Sequence, residues 1–205
     1  MAKIITIAHQ KGGVGKSTLA INLALCFQDQ LSVALVDTDL QGSLYHIRED
    51  FPELAVIGAD KITDIEKLDY DLIIVDTPPY LSSKLPELFL HSDFILIPTK
   101  AGFFDVMAIR STLALIKEAQ AKAPQLKAGI VMNMVKPRTG LTEDVADLIK
   151  SMDTPLLKTK VHDRVSIARS SITGGILKGP DKKAKEELMA LTEEVVERIS
   201  AEVSR

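Results

Sequence analysis

A strand-like apolar run, Ile4-Ile5-Thr6-Ile7-Ala8, leads almost directly into Lys11-Gly12-Gly13-Val14-Gly15-Lys16-Ser17-Thr18, and no other feature constrains the chain as much. Three glycines let the backbone wrap around an anion with its N–H groups turned inward, and the helix expected to follow adds the positive end of its dipole. Lys16 supplies a mobile positive charge. Ser17 offers a hydroxyl to the magnesium ion that accompanies a nucleoside triphosphate, because this hard cation prefers oxygen ligands. A strand before and a helix after the loop is the context such a phosphate cradle requires. A glycine-rich turn that binds nothing would not call for it.

The loop departs from the ordinary Walker A spacing, which wants glycine where Gln10 stands, and it carries an extra lysine, Lys11. A lysine at the very start of the loop does not easily curl back onto its own phosphates. Its natural target is a nucleotide held by a second subunit. Further along, Val33-Ala34-Leu35-Val36-Asp37-Thr38-Asp39-Leu40-Gln41-Gly42 and Asp71-Leu72-Ile73-Ile74-Val75-Asp76-Thr77-Pro78-Pro79 each end an apolar run on acidic residues. Asp37 and Asp39 lie two apart, so on an extended strand end they point to one side.

These three motifs, in this order, resemble the deviant-Walker ATPases of the ParA/MinD family, whose loop reads KGGxGK[ST]. The second matches the family's D-x-D-P-Q-G signature with Leu40 in place of proline, and the third matches its Walker B strand. The resemblance covers nearly the whole chain. It implies a P-loop NTPase fold, ATP and Mg2+ as cofactors, and an ATP-dependent sandwich homodimer. It also implies roles residue by residue. Lys11, Gly12, Gly13, Val14, Gly15, Lys16, Ser17 and Thr18 would hold phosphates, with Lys11 crossing to the partner's nucleotide. Ser17, Asp37 and Asp76 would serve the metal, and Asp39 would align the attacking water. Asn133, with the backbone near Val161 and His162, would meet the adenine. Asparagine also ends many strands because it tolerates turns.

Apolar runs bounded by turn signals alternate with stretches of 3.6-residue periodicity. This is the pattern of an α/β protein with a mostly parallel twisted sheet and helices on both faces. Strands are expected near 3–8, 32–37, 55–58, 71–76, 94–98 and 128–133, with a further short one at 156–160. Helices are expected at 16–30, 84–91, 105–123, 142–152 and 182–203. In the last helix, Leu188, Leu191, Val195, Ile199 and Val203 form the apolar stripe, and the glutamates fall mostly between them. With 205 residues and 46% hydrophobic content, one domain spanning the chain is expected. The Pro/Gly cluster Pro137-Arg138-Thr139-Gly140 reads as a loop within it.

No stretch is long enough to span a bilayer, and the N-terminus lacks a signal peptide's ordering, so a cytoplasmic protein is expected. The single cysteine, Cys26, lies at helical spacing among apolar residues and reads as core packing. A lone cysteine argues against the iron–sulfur branch of the family. The segment Glu186 to Arg205 has six glutamates, two arginines and no bulky aromatic, which fits membrane anchoring badly.

Net charge is −3, but residues 158 to 185 hold eight basic residues against two acids. An acidic chain with one basic segment can hold a polyanion there while its other faces repel it. By resemblance, Arg164 and Arg169, backed by Lys158, Lys160 and Lys178, would contact DNA nonspecifically through phosphates. A solvated charged surface is the bland alternative. Because the first strand begins at Lys3, the resemblance is to small ParA proteins without an N-terminal helix-turn-helix, which rely on a ParB-like centromere-binding adaptor protein. Relatives of equal size that position carboxysomes, chemoreceptor clusters or secretion machinery remain open as readings. So does a metabolic ligase sharing the fold, and so does a nucleotide-binding scaffold without turnover.

Overall fold

A computed structural model describes residues 2–39, 43–58, 62–65, 67–80, 82–136 and 141–201. Seven strands form one sheet: β1 (Lys3–Ile7), β2 (Val33–Asp37), β3 (Ala55–Gly58), β4 (Leu72–Asp76), β5 (Phe94–Thr99), β6 (Lys127–Val135) and β7 (Leu156–His162). Their order is β3-β2-β4-β1-β5-β6-β7, with every pairing parallel. The connecting helices are α1 (Lys16–Phe27), α2 (Ser43–His46), α3 (Ile62–Ile65), α4 (Leu85–Leu90), α5 (Phe103–Lys122), α6 (Leu141–Lys150), α7 (Val165–Ser170) and α8 (Lys182–Ser200).

The period-2 pattern of the strands divides the core between the two faces of the sheet. Ile5, Ile7, Leu35, Ile74 and Leu96 pack with α1 and α8, where Leu19, Leu23, Leu188 and Leu191 are buried. Ile4, Val36, Ile73, Val75, Ile95 and Ile97 point the other way, onto Phe89 of α4 and Val106, Ile109 and Ile116 of α5. Helix α1 is buried on nearly every side, Cys26 included. Thr6, fully buried on β1, shares a 2.7 Å hydrogen bond with Ser92, so its hydroxyl does not go unpaired.

Register fixes the site. Ile7 lies opposite Asp76 and Leu96, and Asp76 opposite Asp37, so the carboxyl ends of β2, β4, β1 and β5 form one rim. The chain leaves β1 toward β2 on one side, while β5 and β6 lie on the other, and ligands in open parallel sheets sit at such a reversal.

The expected elements are present with shifted ends. Helix α1 stops at Phe27, three residues before the expected Gln30, and β6 continues two residues past Asn133 through Met134, which sits at φ 53. The last helix ends at Ser200. The expected continuation to Val203, the Leu40-Gln41-Gly42 end of the second motif and the 137–140 loop lie outside the described residues. Helices α2 and α3 were not expected, because a single turn carries no readable period.

The edge strand β7 corrects one reading of α8. Glu194 accepts from the amides of Lys158 and Thr159 at 2.8 and 2.9 Å, and Glu187 from the amide of His162 at 2.9 Å. Two glutamates seven residues apart therefore face the sheet edge rather than solvent. They satisfy strand donors that no neighbouring strand covers, and they close an edge that would otherwise invite pairing.

Candidate active site

The phosphate loop joins β1 to α1. Gly13 and Gly15 have φ of 70° and 88°, the left-handed region that side chains avoid. Gly15 has no spare volume either, since a β-carbon there would stand 2.4 Å from Asn133 Nδ2. That amide donates to the carbonyl of Val14 at 2.7 Å, and the Val14 side chain is fully buried. The loop is thus pinned from below, while Lys11, Gly12 and Gly13 stay exposed.

Lys16, in the first turn of α1, is only 6% exposed. Burial lowers its pKa, and the carboxylates of Asp76 and Asp39 oppose that shift, so both acids lie within electrostatic reach of this ammonium. Ser17 Oγ donates to Asp76 Oδ2 at 2.6 Å. The other Asp76 oxygen is buried without a hydrogen-bond partner among the described residues. Burial pushes the Asp76 pKa up to about 7, against the Ser17 hydrogen bond and Lys16, with Asp37 and Asp39 adding to the rise. An orphaned carboxylate oxygen beside a serine hydroxyl, at the mouth of a glycine loop, fits Mg2+ that keeps part of its water shell. Ser17 would ligate such an ion directly and Asp76 through water. The ion would neutralise charge developing on a transferring phosphoryl group.

Asp37, expected to support the metal shell, also holds backbone. Its Oδ1 accepts from the amide of Asp39 at 3.0 Å, and its Oδ2 from those of Leu44 and Tyr45 at 2.9 and 3.1 Å. The carboxylate organises the backbone that carries Asp39 and starts α2. Asp39 itself is half-buried near Lys16.

Lys11 turns away from the loop. Its Nζ lies 2.6 Å from Oδ1 of Asp105 in the first turn of α5, and its amide donates to His9 Nδ1 at 2.8 Å. His9 is buried beside Lys16 and the backbone of Asp105. Burial first, then the charge of Lys16, drives its pKa down to about 4, so the ring is neutral at physiological pH. Around Lys11 the surface is aromatic. Phe103 and Phe104 are 56% and 78% exposed and meet edge to face, and the exposed Tyr80 follows Pro79, which lies against Gly12.

Of the residues expected at the adenine, Asn133 spends one N–H of its amide on the Val14 carbonyl, and Val161 lies in β7 with its side chain fully buried in the core. The His162 amide and ring Nδ1 both serve Glu187, so neither is presented to a base.

The basic set divides as well. Arg164 is bound by Glu187 at 2.7 Å and approaches Asp181 at 4.0 Å, and Lys178 pairs with Glu53. The guanidinium of Arg164, first in the expected DNA set, ties β7 and α7 to α8. Arg169, Lys158 and Lys160 are exposed and form no ion pair among the described residues. Lys158 and Lys160 border a groove of about 860 Å³ beside α6, which shares no lining residue with the phosphate loop.

Sequence reasoning missed Asp105, His9 and Asn22. Asn22 is fully buried in α1; its Nδ2 donates to Thr18 O and Ser170 Oγ, and its Oδ1 accepts from Ile176 N. It binds the phosphate-loop helix to the segment carrying Arg169. Its signal was a lone amide in an otherwise apolar helix.

Residues 5–177 match the family described as the CobQ/CobB/MinD/ParA nucleotide binding domain. The maintenance of carboxysome distribution protein A of Halothiobacillus neapolitanus is 30% identical over 207 residues, covering 94% of this chain and 95% of that protein. The sporulation initiation inhibitor protein Soj of Bacillus subtilis is 26% identical over 251 residues, covering 95% and 98%. Among solved structures, a plasmid partition protein of Borrelia burgdorferi bound to AMPPNP shares the fold, with a TM-score of 0.75 at 23% identity over 96% of this chain and 99% of its own.

Proposed function

The chain belongs to the CobQ/CobB/MinD/ParA nucleotide-binding family, and from that premise we propose that it is an ATP-dependent partition ATPase that moves DNA. Two copies close face to face around two molecules of Mg-ATP, each sending Lys11 to the partner's phosphates, with Lys16 neutralising the terminal oxygens and Asp39 aligning water. Hydrolysis, which rests on positioning and charge, is slow until a centromere-binding adaptor stimulates it. The closed dimer holds DNA without sequence preference through Arg169, Lys158 and Lys160, and release follows turnover.

The observation that carries this reading is Lys11. It opens the phosphate loop, yet its ammonium leaves the loop for a rim where Tyr80, Phe103 and Phe104 are exposed. Such a cluster of exposed aromatics suits contact with another protein surface. Light scattering with a non-hydrolysable ATP analogue tests it. Wild type should double in mass and Lys11→Ala should not; an Lys11→Ala dimer would refute the reading. DNA retention by the wild-type dimer should fall steeply with salt, and no retention at low salt would remove the DNA part alone.

A second reading concerns the cargo. The 30% identity with a carboxysome distribution protein, over nearly the full length of both chains, favours the same cycle applied to a protein assembly instead of a DNA molecule. An adaptor borne by such an assembly, rather than by a centromere, would then stimulate hydrolysis.

A further inference from the structure

Lys100 is the first residue past the carboxyl end of β5, on the rim where the phosphate loop, Asp37 and Asp76 converge. It is half-buried, and its ammonium reaches over the middle of the loop: a β-carbon built on Gly13 would stand 4.0 Å from Lys100 Nζ. The other two lysines of the loop are committed. Lys11 is paired with Asp105, and Lys16 is buried toward Asp76 and Asp39. Lys100 has no carboxylate partner among the described residues. A half-buried cation left without a counter-charge, against a backbone shaped for an anion, is a binding group waiting for its ligand.

We propose that Lys100 binds the terminal phosphoryl group of the nucleotide seated in its own chain's loop, and so makes the site prefer a triphosphate to a diphosphate. The helix N-terminus serves the phosphates common to both nucleotides, and Lys16, three residues from Gly13, reaches the terminal oxygens from that side of the loop. Lys100 reaches Gly13 from the end of the neighbouring strand β5. A triphosphate adds one phosphoryl group and additional negative charge, and a second cation in the same chain strengthens the response to that addition. The inference rests on the nucleotide-binding part of the proposed function and not on dimerisation.

Affinities for a non-hydrolysable ATP analogue and for ADP, both with Mg2+, measured by titration calorimetry on Lys11→Ala chains with and without Lys100→Gln, provide the test. Lys100→Gln should weaken the analogue about tenfold, as expected for one charge-assisted contact, while ADP affinity stays within about twofold. Retained ADP binding also shows that the variant is folded. Lys100→Arg should keep the preference. Equal weakening of both nucleotides, or no weakening of either, would overturn the assignment to Lys100. An effect seen with Lys11 present but absent in Lys11→Ala would overturn the same-chain contact. Failure of the parent chain to bind either nucleotide would instead defeat the proposed function itself.

Discussion

If Lys11 acts across an interface, its ion pair with Asp105 must break each time a dimer forms, and Asp105→Asn should therefore make dimerisation easier. The pair is short, 2.6 Å, but its side chains are 45% and 14% exposed, so solvent screens much of the attraction. Measured pairs of this kind contribute about 0.2–1 kcal/mol. A symmetric dimer loses two of them, so the variant should gain about 0.4–2 kcal/mol, or roughly 2- to 30-fold in dimer dissociation constant. Asparagine keeps the shape of the side chain, which matters because the carboxylate folds back over Gly102, where a β-carbon would lie 2.5 Å from Oδ2. Sedimentation equilibrium with a non-hydrolysable ATP analogue reads the constant directly. Unchanged or weaker association of Asp105→Asn would refute the argument, and weaker association would mean that Asp105 presents Lys11 instead of restraining it.

Three further outcomes are expected. The Asp76 carboxyl, raised from 3.8 to about 7, holds a proton in the folded chain that the unfolded chain has lost, so its burial penalty grows from pH 4 and is complete above pH 7, with an upper bound of about 4 kcal/mol. Asp76→Asn should accordingly raise the Tm of the nucleotide-free chain more at pH 8 than at pH 5 and abolish the added stability conferred by Mg-ATP; a lower Tm at pH 8 would contradict this. His9 is shifted the other way, from 6.5 to about 4, so the folded chain refuses a proton that the unfolded chain takes, and stability falls as pH drops below 6.5 by about 2 kcal/mol at pH 5. His9→Asn should flatten that acid limb in urea titrations at pH 5 and 7, and an unchanged slope would disprove the linkage. Asn133→Ala strands the Val14 carbonyl and should weaken ATP and ADP alike by about 1–3 kcal/mol with no change in preference for adenine over guanine, as competition binding would show; a loss of base preference would restore the adenine role.

Much of the site was legible because phosphate chemistry demands particular residues at fixed spacing along one short stretch. Gly13, Gly15, Lys16 and Ser17 act within a single turn of backbone, and the ends of β2 and β4 are marked by the acids themselves. What escaped is what depends on a second segment. Arg164 reads as an available cation until Glu187, 23 residues later on α8, is seen to bind it. The sequence gives no sign that Asp37 also accepts from the amides of Leu44 and Tyr45, within 3.1 Å. Local charge counting identifies charges but not their partners.

The same distinction explains why two of the three residues the sequence missed, His9 and Asp105, lie beside Lys11. Lys16 faces inward, toward Asp39 and Asp76, acids that the sequence marks at the ends of apolar runs. Lys11 faces a rim assembled from three separate segments: His9 at the end of β1, the turn at Pro79 and Tyr80 after β4, and Phe103 to Asp105 at the start of α5. None of those segments carries a spacing signature, because nothing on the rim has to wrap an anion. Their requirement is to hold a cation and expose aromatic surface at one place in space, and many sequences meet that. If the chain pairs as proposed, Asp105 and the aromatic pair before it are the residues at which the strength of pairing can be set without touching Lys16, Ser17 and Asp76.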